Sequence, residues 1–347
     1  MSTPFFSDLT KTRFRRFRTI KRAWFSLLIL STLFLLSLFS ELISNDRPLV
    51  LGYKGELHAP VFKFYPGTAF GLEQGTQVDY LALDKDPSFA AEGGWMLFPP
   101  IHWGPYRAHL DLDGNPPHSP SREHWLGTDN SARDVASRLL YGFRLCMAFA
   151  LLIAFLAITL GITIGGLQGW FGGKTDMVGQ RLIEIWSALP FLYVVILLGA
   201  IYGRSFILLV SVVALFEWIG LSYYLRAEFY RLKGLNYVKA ARALGIPGWR
   251  IFMRHVLPNA LTPVLTLLPF MLIAGISALT SLDFLGFGLQ PPSPSWGELL
   301  RQGLDNLQAP WLAVTSVSAL FITLLLATFI GEGLREAFDP KADARVE

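Results

Sequence analysis

Six apolar runs, each about twenty residues long, constrain this chain more than any other feature of its sequence. A helix rises about 1.5 Å per residue, so a run of this length crosses the roughly 30 Å hydrocarbon core of a bilayer. Charged residues make up only 16% of the 347 residues, too few to solvate a soluble protein of this size. The sequence therefore predicts an all-α polytopic membrane protein with six transmembrane helices. The runs cover residues 24–43, 145–166, 183–201, 206–225, 260–282 and 311–330.

The basic residues predict the orientation of these spans. Residues 1–22 carry a block of Lys and Arg against one acid, Asp8, and such a block stays on the cytoplasmic side. Six spans then leave both termini in the cytoplasm, and 19 of the 30 Lys and Arg fall in the predicted inside segments. We interpret the first run as an uncleaved span, because it lacks a small-residue cleavage site. The single cysteine, Cys146, excludes an internal disulfide.

A long insert, residues 45–144, separates the first two spans and is placed outside the cell by this orientation. Prolines and glycines punctuate it, so most of it is predicted to be an ordered but irregular cap without an independent domain. Residues 49–53 and 57–64, joined through Lys54 and Gly55, predict a small hairpin. The Ser131-x-x-Asp134 spacing predicts the start of an interfacial helix that leads into the second span.

The spans and their flanking segments define a provisional division of the chain. It consists of a basic amino terminus (1–23), the first span (24–44), the insert with its interfacial helix (45–144), a five-span core (145–336) that contains a short helix at 236–246, and a carboxyl-terminal tail (337–347).

The short helix lies between the fourth and fifth spans, in a predicted cytoplasmic segment. Asn236 is a candidate N-cap and Gly245 a candidate C-terminal stop, so a helix of about eight or nine residues is predicted between them. A second helix is predicted from Pro247 to Pro258.

The composition of the short helix favours contact with a partner. Ala240 and Ala241 leave part of the helix without bulky side chains, and positive charges frame that part: Lys239, Arg242, Arg250 and Arg254. A basic amphipathic helix can also lie on anionic lipid, but these alanines offer little apolar bulk for burial in a bilayer. The spacing therefore favours docking into a cleft.

The familiar catalytic patterns are absent or incomplete in the sequence. The stretch 168–175 ends like a phosphate-binding loop, but Gln168 stands where that motif needs glycine and no strand precedes it. It is therefore interpreted as a glycine-rich turn. The histidines lack paired metal-ligand spacing, and no Gly-x-Ser-x-Gly elbow occurs. We expect no catalytic, cofactor-binding or metal site in this chain.

Three acids are candidates for the substrate pathway. Ionisable groups inside a membrane are costly unless they are paired or wetted, which makes Glu184 and especially the deeper Glu217 functional candidates. Asp283 begins a loop, residues 283–298, that is rich in glycine and proline. On its residues alone, a plain outer loop is favoured over a loop packed into the mouth of the helix bundle.

Several motifs together resemble one transporter family. Ala240-Ala241-x-x-x-Gly245, followed by Leu257-Pro258, resembles the cytoplasmic signature of permease subunits in bacterial ATP-binding-cassette importers. Two further sets resemble hallmarks of the dipeptide and oligopeptide permease C family, and a last set resembles its Yej-type branch. The first set is Leu126-Gly-Thr-Asp129 with Arg133-Asp134-Val135, Ser137-Arg138, Tyr141-Gly142 and Arg144. The second set is Phe284-Leu-Gly-Phe-Gly288 with Pro291-Pro-x-Pro-Ser-Trp-Gly297. The Yej-type set is Glu41-Leu-Ile-Ser-Asn-Asp46, Phe98-Pro-Pro-Ile-His-Trp-Gly104 and Asn306-Leu-Gln-Ala-Pro-Trp311.

This resemblance implies a type I importer permease fold and an ATP-driven importer of peptides, including microcin C-type peptide antibiotics, in the bacterial inner membrane. It implies four kinds of partner: a second, homologous permease, two ATP-binding subunits or one fused double ATPase, an extracytoplasmic peptide-binding protein and the lipid bilayer, with no nucleic acid. ATP and Mg would be bound by the ATPases, and this chain would bind no cofactor. The residues that would contact the ATPase are Lys239, Ala240, Ala241, Arg242, Gly245, Leu257 and Pro258.

Three features depart from the family pattern. Lys239 stands at the usually acidic position of the signature, Ala132 stands at a position that is usually glycine, and Glu217 is an acid not expected in its span. The main alternative is a secondary transporter, which would need its own ion site near the membrane midplane. An integral membrane enzyme is less compatible with the sequence, because no acid, base and nucleophile cluster together.

Overall fold

The structure is a computed structural model that describes residues 8–72 and 78–338. Most of the predicted tail, 337–347, and the first residues of the predicted amino-terminal segment lie outside this part of the chain. Helices dominate the described residues. They are α1 (Asp8–Thr19), α2 (Lys21–Leu38), α3 (Ser40–Ile43), α4 (Tyr80–Asp84), α5 (Pro87–Ala91), α6 (Val135–Phe171), α7 (Gly173–Ser187), α8 (Phe191–Tyr202), α9 (Phe206–Lys233), α10 (Asn236–Ala243), α11 (Gly248–Ile251), α12 (Leu257–Phe284), α13 (Trp296–Asp305) and α14 (Pro310–Phe338).

Among the described residues, five helical segments are long and apolar enough to span a membrane, and one bent helix pair brings the number to six. The five are Lys21–Leu38, Val135–Phe171, Phe206–Lys233, Gly248–Phe284 and Pro310–Phe338. The bent pair is α7 with α8, whose axes differ by 70°. The predicted polytopic helical fold is confirmed.

The predicted third span, residues 183–201, falls on this bent pair and is not one continuous helix. α7 ends at Ser187, and Pro190 adopts an extended conformation (φ −70°, ψ 109°) immediately before α8. Proline lacks the backbone N–H that a helix interior needs, and it disfavours helical geometry in the residue before it. Pro190 therefore breaks the apolar run in two.

The chain divides into two compact units, which are described separately. The core unit comprises Met1–Ser31, Cys146–Gln290 and Phe321–Glu347, and the cap unit comprises Thr32–Leu145 and Pro291–Leu320.

Glycines allow two helices of the core unit to approach each other closely. Gly161, Gly165 and Gly169 recur every fourth residue on α6 and face α9. A β-carbon built on Gly165 would lie 2.5 Å from the carbonyl oxygen of Ser222, and one on Gly169 would lie 2.7 Å from that of Arg226. Small residues at this spacing let membrane helices pack backbone against backbone. The glycine-rich turn predicted at residues 168–175 is reduced to one residue: α6 ends at Phe171, α7 begins at Gly173, and Gly172 between them adopts a positive φ of 68°.

The cap unit contains a small antiparallel sheet with the strand order β2-β1-β3. Its strands are β1 (Val50–Tyr53), β2 (Glu56–His58) and β3 (Trp95–Leu97). Lys54 and Gly55 join β1 to β2 with φ of 50° and 81°, as a tight hairpin turn requires, so the predicted hairpin is confirmed with a shorter second strand.

A cluster of buried side chains gives this sheet its own core, although the sequence predicted no independent packing in the insert. Tyr53 stacks on Phe89 with ring centroids 5.5 Å apart. The buried members are Leu51, Tyr53, Phe70, Val78, Tyr80, Leu83 and Phe89. Apolar residues from distant positions therefore converge where no regular alternation is visible in the sequence.

The predicted interfacial helix does not form a separate element. α6 runs without a break from Val135 to Phe171. Asp134, rather than Ser131, occupies the position before the first helical residue, and its carboxylate accepts a hydrogen bond from the Ser137 backbone N–H at 2.8 Å. A carboxylate at this position satisfies a free N–H group of the first turn and interacts favourably with the helix dipole.

A buried imidazole lies beneath the surface of the cap unit. The His109 ring is 3% exposed and packs edge-on against Trp103, with ring centroids 4.3 Å apart. The His124 ring lies 4.8 Å away and is itself paired with Asp134 at 2.9 Å. Burial, followed by the charges of His124 and Arg107, lowers the pKa of His109 from 6.5 to about 4.

We expect Gly165→Ala to destabilise the protein by about 1–3 kcal/mol, because the added methyl group has no room against α9. Gly248→Ala is the matched control, since its β-carbon would meet nothing closer than 3.8 Å. Alanine has a higher helix propensity than glycine, and both variants gain from this, so the contribution cancels when their midpoints are compared. The measurement is the thermal unfolding midpoint of the purified protein in detergent. Equal midpoints for the two variants would contradict the close packing.

We expect His109 to make the cap unit sensitive to acid. The unfolded chain takes up a proton near pH 6.5, whereas the folded chain resists protonation down to about pH 4. Stability contributed by neutral His109 is therefore full above pH 6.5 and falls between pH 6.5 and 4, by about 2 kcal/mol at pH 5. His109→Phe should reduce this loss in unfolding midpoints measured at pH 7 and pH 5. A variant with the same pH dependence as the parent would refute the assignment.

Candidate functional site

The short helix α10 (Asn236–Ala243) is closed at its end by its own backbone. The Gly245 N–H donates to the Arg242 carbonyl at 2.9 Å, and the Ile246 N–H donates to the Ala241 carbonyl at 3.2 Å. This paired pattern needs a left-handed residue just past the helix, and Gly245 has a φ of +76°. The predicted helix stop at Gly245 is confirmed.

The predicted N-cap is wrong by one residue. Asn236 is the first helical residue, and Leu235 precedes it without any capping bond from a side chain. The Leu235 carbonyl accepts hydrogen bonds from the N–H groups of Val238 at 3.1 Å and Lys239 at 3.2 Å. α9 ends at Lys233, so the chain has only Gly234 and Leu235 in which to turn, and this connection fixes the start of α10.

One side of α10 is fastened to the core unit. Val238 and Ala241 are buried, and they pack with Phe229 of α9 and Ile251 of α11 in a single apolar cluster. The Arg242 guanidinium lies 5.2 Å from the centre of the Trp170 ring at the end of α6. α10 is therefore supported by the ends of several spanning segments.

The other side of α10 is exposed, and we call it the α10 face: Lys239, Ala240, Ala243, Leu244 and Gly245. Leu244 is 80% exposed, and a β-carbon on Gly245 would meet nothing within 4 Å in the described chain. The expectation that Ala240 and Ala241 together form a bare surface is only half right. Positions one residue apart on a helix point about 100° away from each other, and Ala241 packs inward.

Positive charge surrounds the α10 face. Residues 229–282 contain no Asp or Glu, and their basic side chains are Arg231, Lys233, Lys239, Arg242, Arg250 and Arg254. Exposed apolar side chains continue the surface beyond the turn, with Trp249 66% and Met253 57% exposed. The surface is suited to an acidic partner with an apolar groove.

The predicted second helix does not end at Pro258. α11 starts after Pro247 and continues through a wide π turn, Phe252–Val256, into α12. Pro258 is the second residue of α12 and directly follows the π turn, where the regular pattern of backbone hydrogen bonds is already interrupted. Leu257 packs on the apolar cluster beneath α10, whereas Pro258 is exposed.

The three acids predicted for the substrate pathway occupy different settings. Glu184 lies on the surface of α7 in an ion pair with Arg181 at 2.5 Å. Asp283 is buried at the end of α12, where its carboxylate accepts a hydrogen bond from the Leu289 N–H at 2.6 Å. Glu217 of α9 lines a groove and has no ion pair or hydrogen bond within the described residues.

A buried ion cluster in the cap unit joins two of the motif segments. Arg138 has no exposed side-chain surface and donates to Glu298 at 2.6 Å. Arg133 also reaches Glu298, at 3.0 Å, and its second partner is Asp129 at 2.7 Å. Arg138 further donates to the carbonyls of Pro292 and Ser293, so the segment after the fifth span is tied to the start of α6.

The interpretation of residues 283–298 as a plain outer loop is therefore wrong for its later part. Trp296 is 2% exposed, and its indole N–H donates to the Leu139 carbonyl at 3.0 Å. This ion cluster could not be predicted from sequence, because no local pattern indicates a pairing between residues that lie about 160 positions apart. A clue was available in the uncharged stretch 284–297 that leads into Glu298, because an acid that is buried with such a segment needs a partner.

Spanning helices joined by an exposed basic loop are the features of a polytopic membrane protein. Residues 157–344 match the family described as "Binding-protein-dependent transport system inner membrane component". The chain belongs to this family: it is a multi-pass inner-membrane permease of the ATP-binding-cassette importer class, and the secondary-transporter alternative is set aside.

Named relatives extend the similarity over nearly the whole chain. It is 42% identical to a peptidoglycan transport system permease protein YejE of Agrobacterium fabrum, over 99% of this chain and 96% of that protein. It is 44% identical to an inner membrane ABC transporter permease protein YejE of Escherichia coli, over 96% and 98%. An oligopeptide transport system permease protein OppC of Haemophilus influenzae is 37% identical, over 63% of this chain and 70% of its own length.

We expect Glu298→Gln to destabilise the protein by about 3–5 kcal/mol, because two buried guanidinium groups lose their shared counter-charge. Glu184→Gln is the control: it also breaks an acid–arginine pair, but those side chains are 49% and 73% exposed, so its effect should stay below about 1 kcal/mol. Thermal unfolding in detergent compares the two. A Glu298→Gln midpoint as high as that of the control would contradict the role of the cluster.

Proposed function

We propose that this chain is the membrane-spanning subunit of an ATP-driven peptide importer and that α10 transmits movement from an ATPase partner. The observation that carries the proposal is the arrangement of α10. It offers an exposed face of small and basic residues on one side and rests on buried apolar contacts to spanning segments on the other.

The partners follow from this role. Two ATP-binding subunits, or one fused double ATPase, would bind ATP and Mg, and this chain would have no ATPase site of its own. A second, homologous permease would complete the pathway, and an extracytoplasmic binding protein would deliver the peptide. α10 must then lie in the cytoplasm, which places both termini inside and the insert outside.

The substrate class rests on the relatives. One of them is named for oligopeptide transport and another for peptidoglycan transport, and peptide segments are common to both kinds of cargo. We propose short peptides as the substrates, with microcin C-type peptide antibiotics as a narrower possibility. Uptake of defined peptides and of peptidoglycan fragments by a strain that depends on this importer would separate the two classes.

Movement would pass from the ATPase to the spans through rigid packing. When the ATPases close on ATP, a push on α10 is delivered through Val238 and Ala241 to Phe229 in α9 and Ile251 in α11. Close-packed interiors yield little, so such a push shifts the attached helices rather than deforming the contact. Leu257 lies at the start of α12 on the same cluster and extends the transmission to the fifth span.

The sign of the charge on α10 sets a requirement for the partner. Lys239 stands where the family signature usually has an acid, and no acid lies nearby in the sequence. An acidic groove on the ATPase would complement this face.

Of the three acids predicted for the substrate pathway, we propose that Glu217 alone lines it. Glu184 is paired with Arg181 on the surface, and the Asp283 carboxylate accepts a hydrogen bond from the loop that follows it.

We expect Gly245→Arg to leave the protein in the membrane but to abolish peptide-stimulated ATP hydrolysis by the complete importer. A long side chain at this position would project from the α10 face into the partner. Gly245→Ala is the control, since it introduces the same left-handed backbone penalty of about 1–2 kcal/mol without the bulk. It should keep most of the stimulation. Normal stimulated hydrolysis in Gly245→Arg, or equal loss in both variants, would refute direct contact.

A further inference from the structure

We propose that the groove around Glu217 is a recognition site for the positively charged amino terminus of a peptide in transit. This inference rests on the proposed function, because it assigns a ligand group to the pathway of a peptide permease. The groove would give the membrane-spanning part of the importer its own preference for peptides with a charged amino terminus, in addition to any preference of a binding protein.

Two helices of the core unit form the groove. α9 contributes Glu217, Gly220 and Tyr224, and α12 contributes Phe270, Met271 and Ala274. The α9 residues lie three or four positions apart and so share one face of that helix, and Ala274 of α12 lies three and four positions after Met271 and Phe270. The cavity has a volume of about 400 Å³, within the range of sites that bind small ligands.

Glu217 lies deep in its span. α9 begins at Phe206, so Glu217 is about 16 Å along the helix, near the middle of a hydrocarbon core about 30 Å thick. A carboxylate at this depth does not face lipid; it faces water, a ligand or a partner charge. Its side chain is exposed in the single chain and has no partner among the described residues.

The neighbours of Glu217 suit an ammonium group. Gly220 leaves the wall open one turn away, since a β-carbon there would meet nothing within 4 Å. The partly exposed Tyr224 ring can contact a cation with its face, and Met271 is an adaptable apolar wall. Arg335 already stacks on the Phe270 ring at 4.1 Å, yet it forms no ion pair with Glu217. A single carboxylate between aromatic and apolar walls favours a monovalent organic cation over a metal ion.

Every unmodified peptide carries such a cation at its amino terminus, joined to a chain of varied side chains. A site that binds only the amino-terminal ammonium group would accept peptides of different sequence. The rest of the cavity would then need no specific contacts with the peptide side chains. An arginine or lysine of the second permease is the competing occupant, and the experiment includes it as an outcome.

The test uses the purified importer complex without binding protein, so that peptide binding is measured on the membrane subunits. Trialanine and N-acetyl-trialanine are the probes, because acetylation removes the amino-terminal charge and little else. We expect the wild type to bind trialanine about tenfold or more tightly than the acetylated peptide, the order of a charge-assisted hydrogen bond. Glu217→Gln should lower trialanine affinity to that of the acetylated peptide.

Glu228→Gln is the matched control, because it removes an acid from the same helix that is paired with Arg231 at 2.6 Å and does not line the groove. It should keep the preference for trialanine. Both permeases are quantified in every preparation. Loss of the second permease from the Glu217→Gln complex would overturn the proposal by assigning the carboxylate to the subunit interface.

Three further results would overturn it: no binding of either peptide, equal affinities in the wild type, or an unchanged preference in Glu217→Gln. ATP-driven uptake of trialanine by the wild-type importer with its binding protein is measured in parallel. Normal uptake of trialanine together with equal binding of the two peptides defeats this inference alone, whereas absence of trialanine uptake defeats the proposed function.

Discussion

The free-energy cost of removing charged groups from water determines where this protein places and pairs its ionisable side chains. Arg138 is a full positive charge without exposed surface, and the cap unit neutralises it by bringing Glu298 and Asp129 to the same point. A lone buried charge costs several kcal/mol, so the cluster couples the start of α6 to α13, which carries Glu298. The fold of the cap unit is thereby fixed by electrostatics as well as by its apolar core.

The same constraint distinguishes the places where charge is left unsatisfied. Lys239 on the α10 face forms no ion pair among the described residues, and neither does Glu217 in the middle of its span. Because the ions that the described cap unit buries are paired, these two charges are the ones that we propose to meet a partner or a ligand.

Local chemistry explains which features could be predicted from sequence. The spans follow from run length, the hairpin from Lys54-Gly55, and the end of α10 from Gly245, because each depends on residues adjacent in the chain. Features that depend on remote partners were missed: strand β3, the pairing of Arg138 with Glu298, and the close approach of Gly165 to α9. The break at Pro190 was visible in the sequence, but hydrophobicity outweighed backbone geometry in the prediction.

The backbone closure of α10 has a thermodynamic consequence. Its last carbonyls are satisfied by the N–H groups of Gly245 and Ile246, and its inner side chains are packed before any partner arrives. A helix that is ordered in advance loses little conformational entropy on docking, so less of the contact energy is consumed by folding. The ATPase partner that we propose would therefore dock on a surface that already has its final shape.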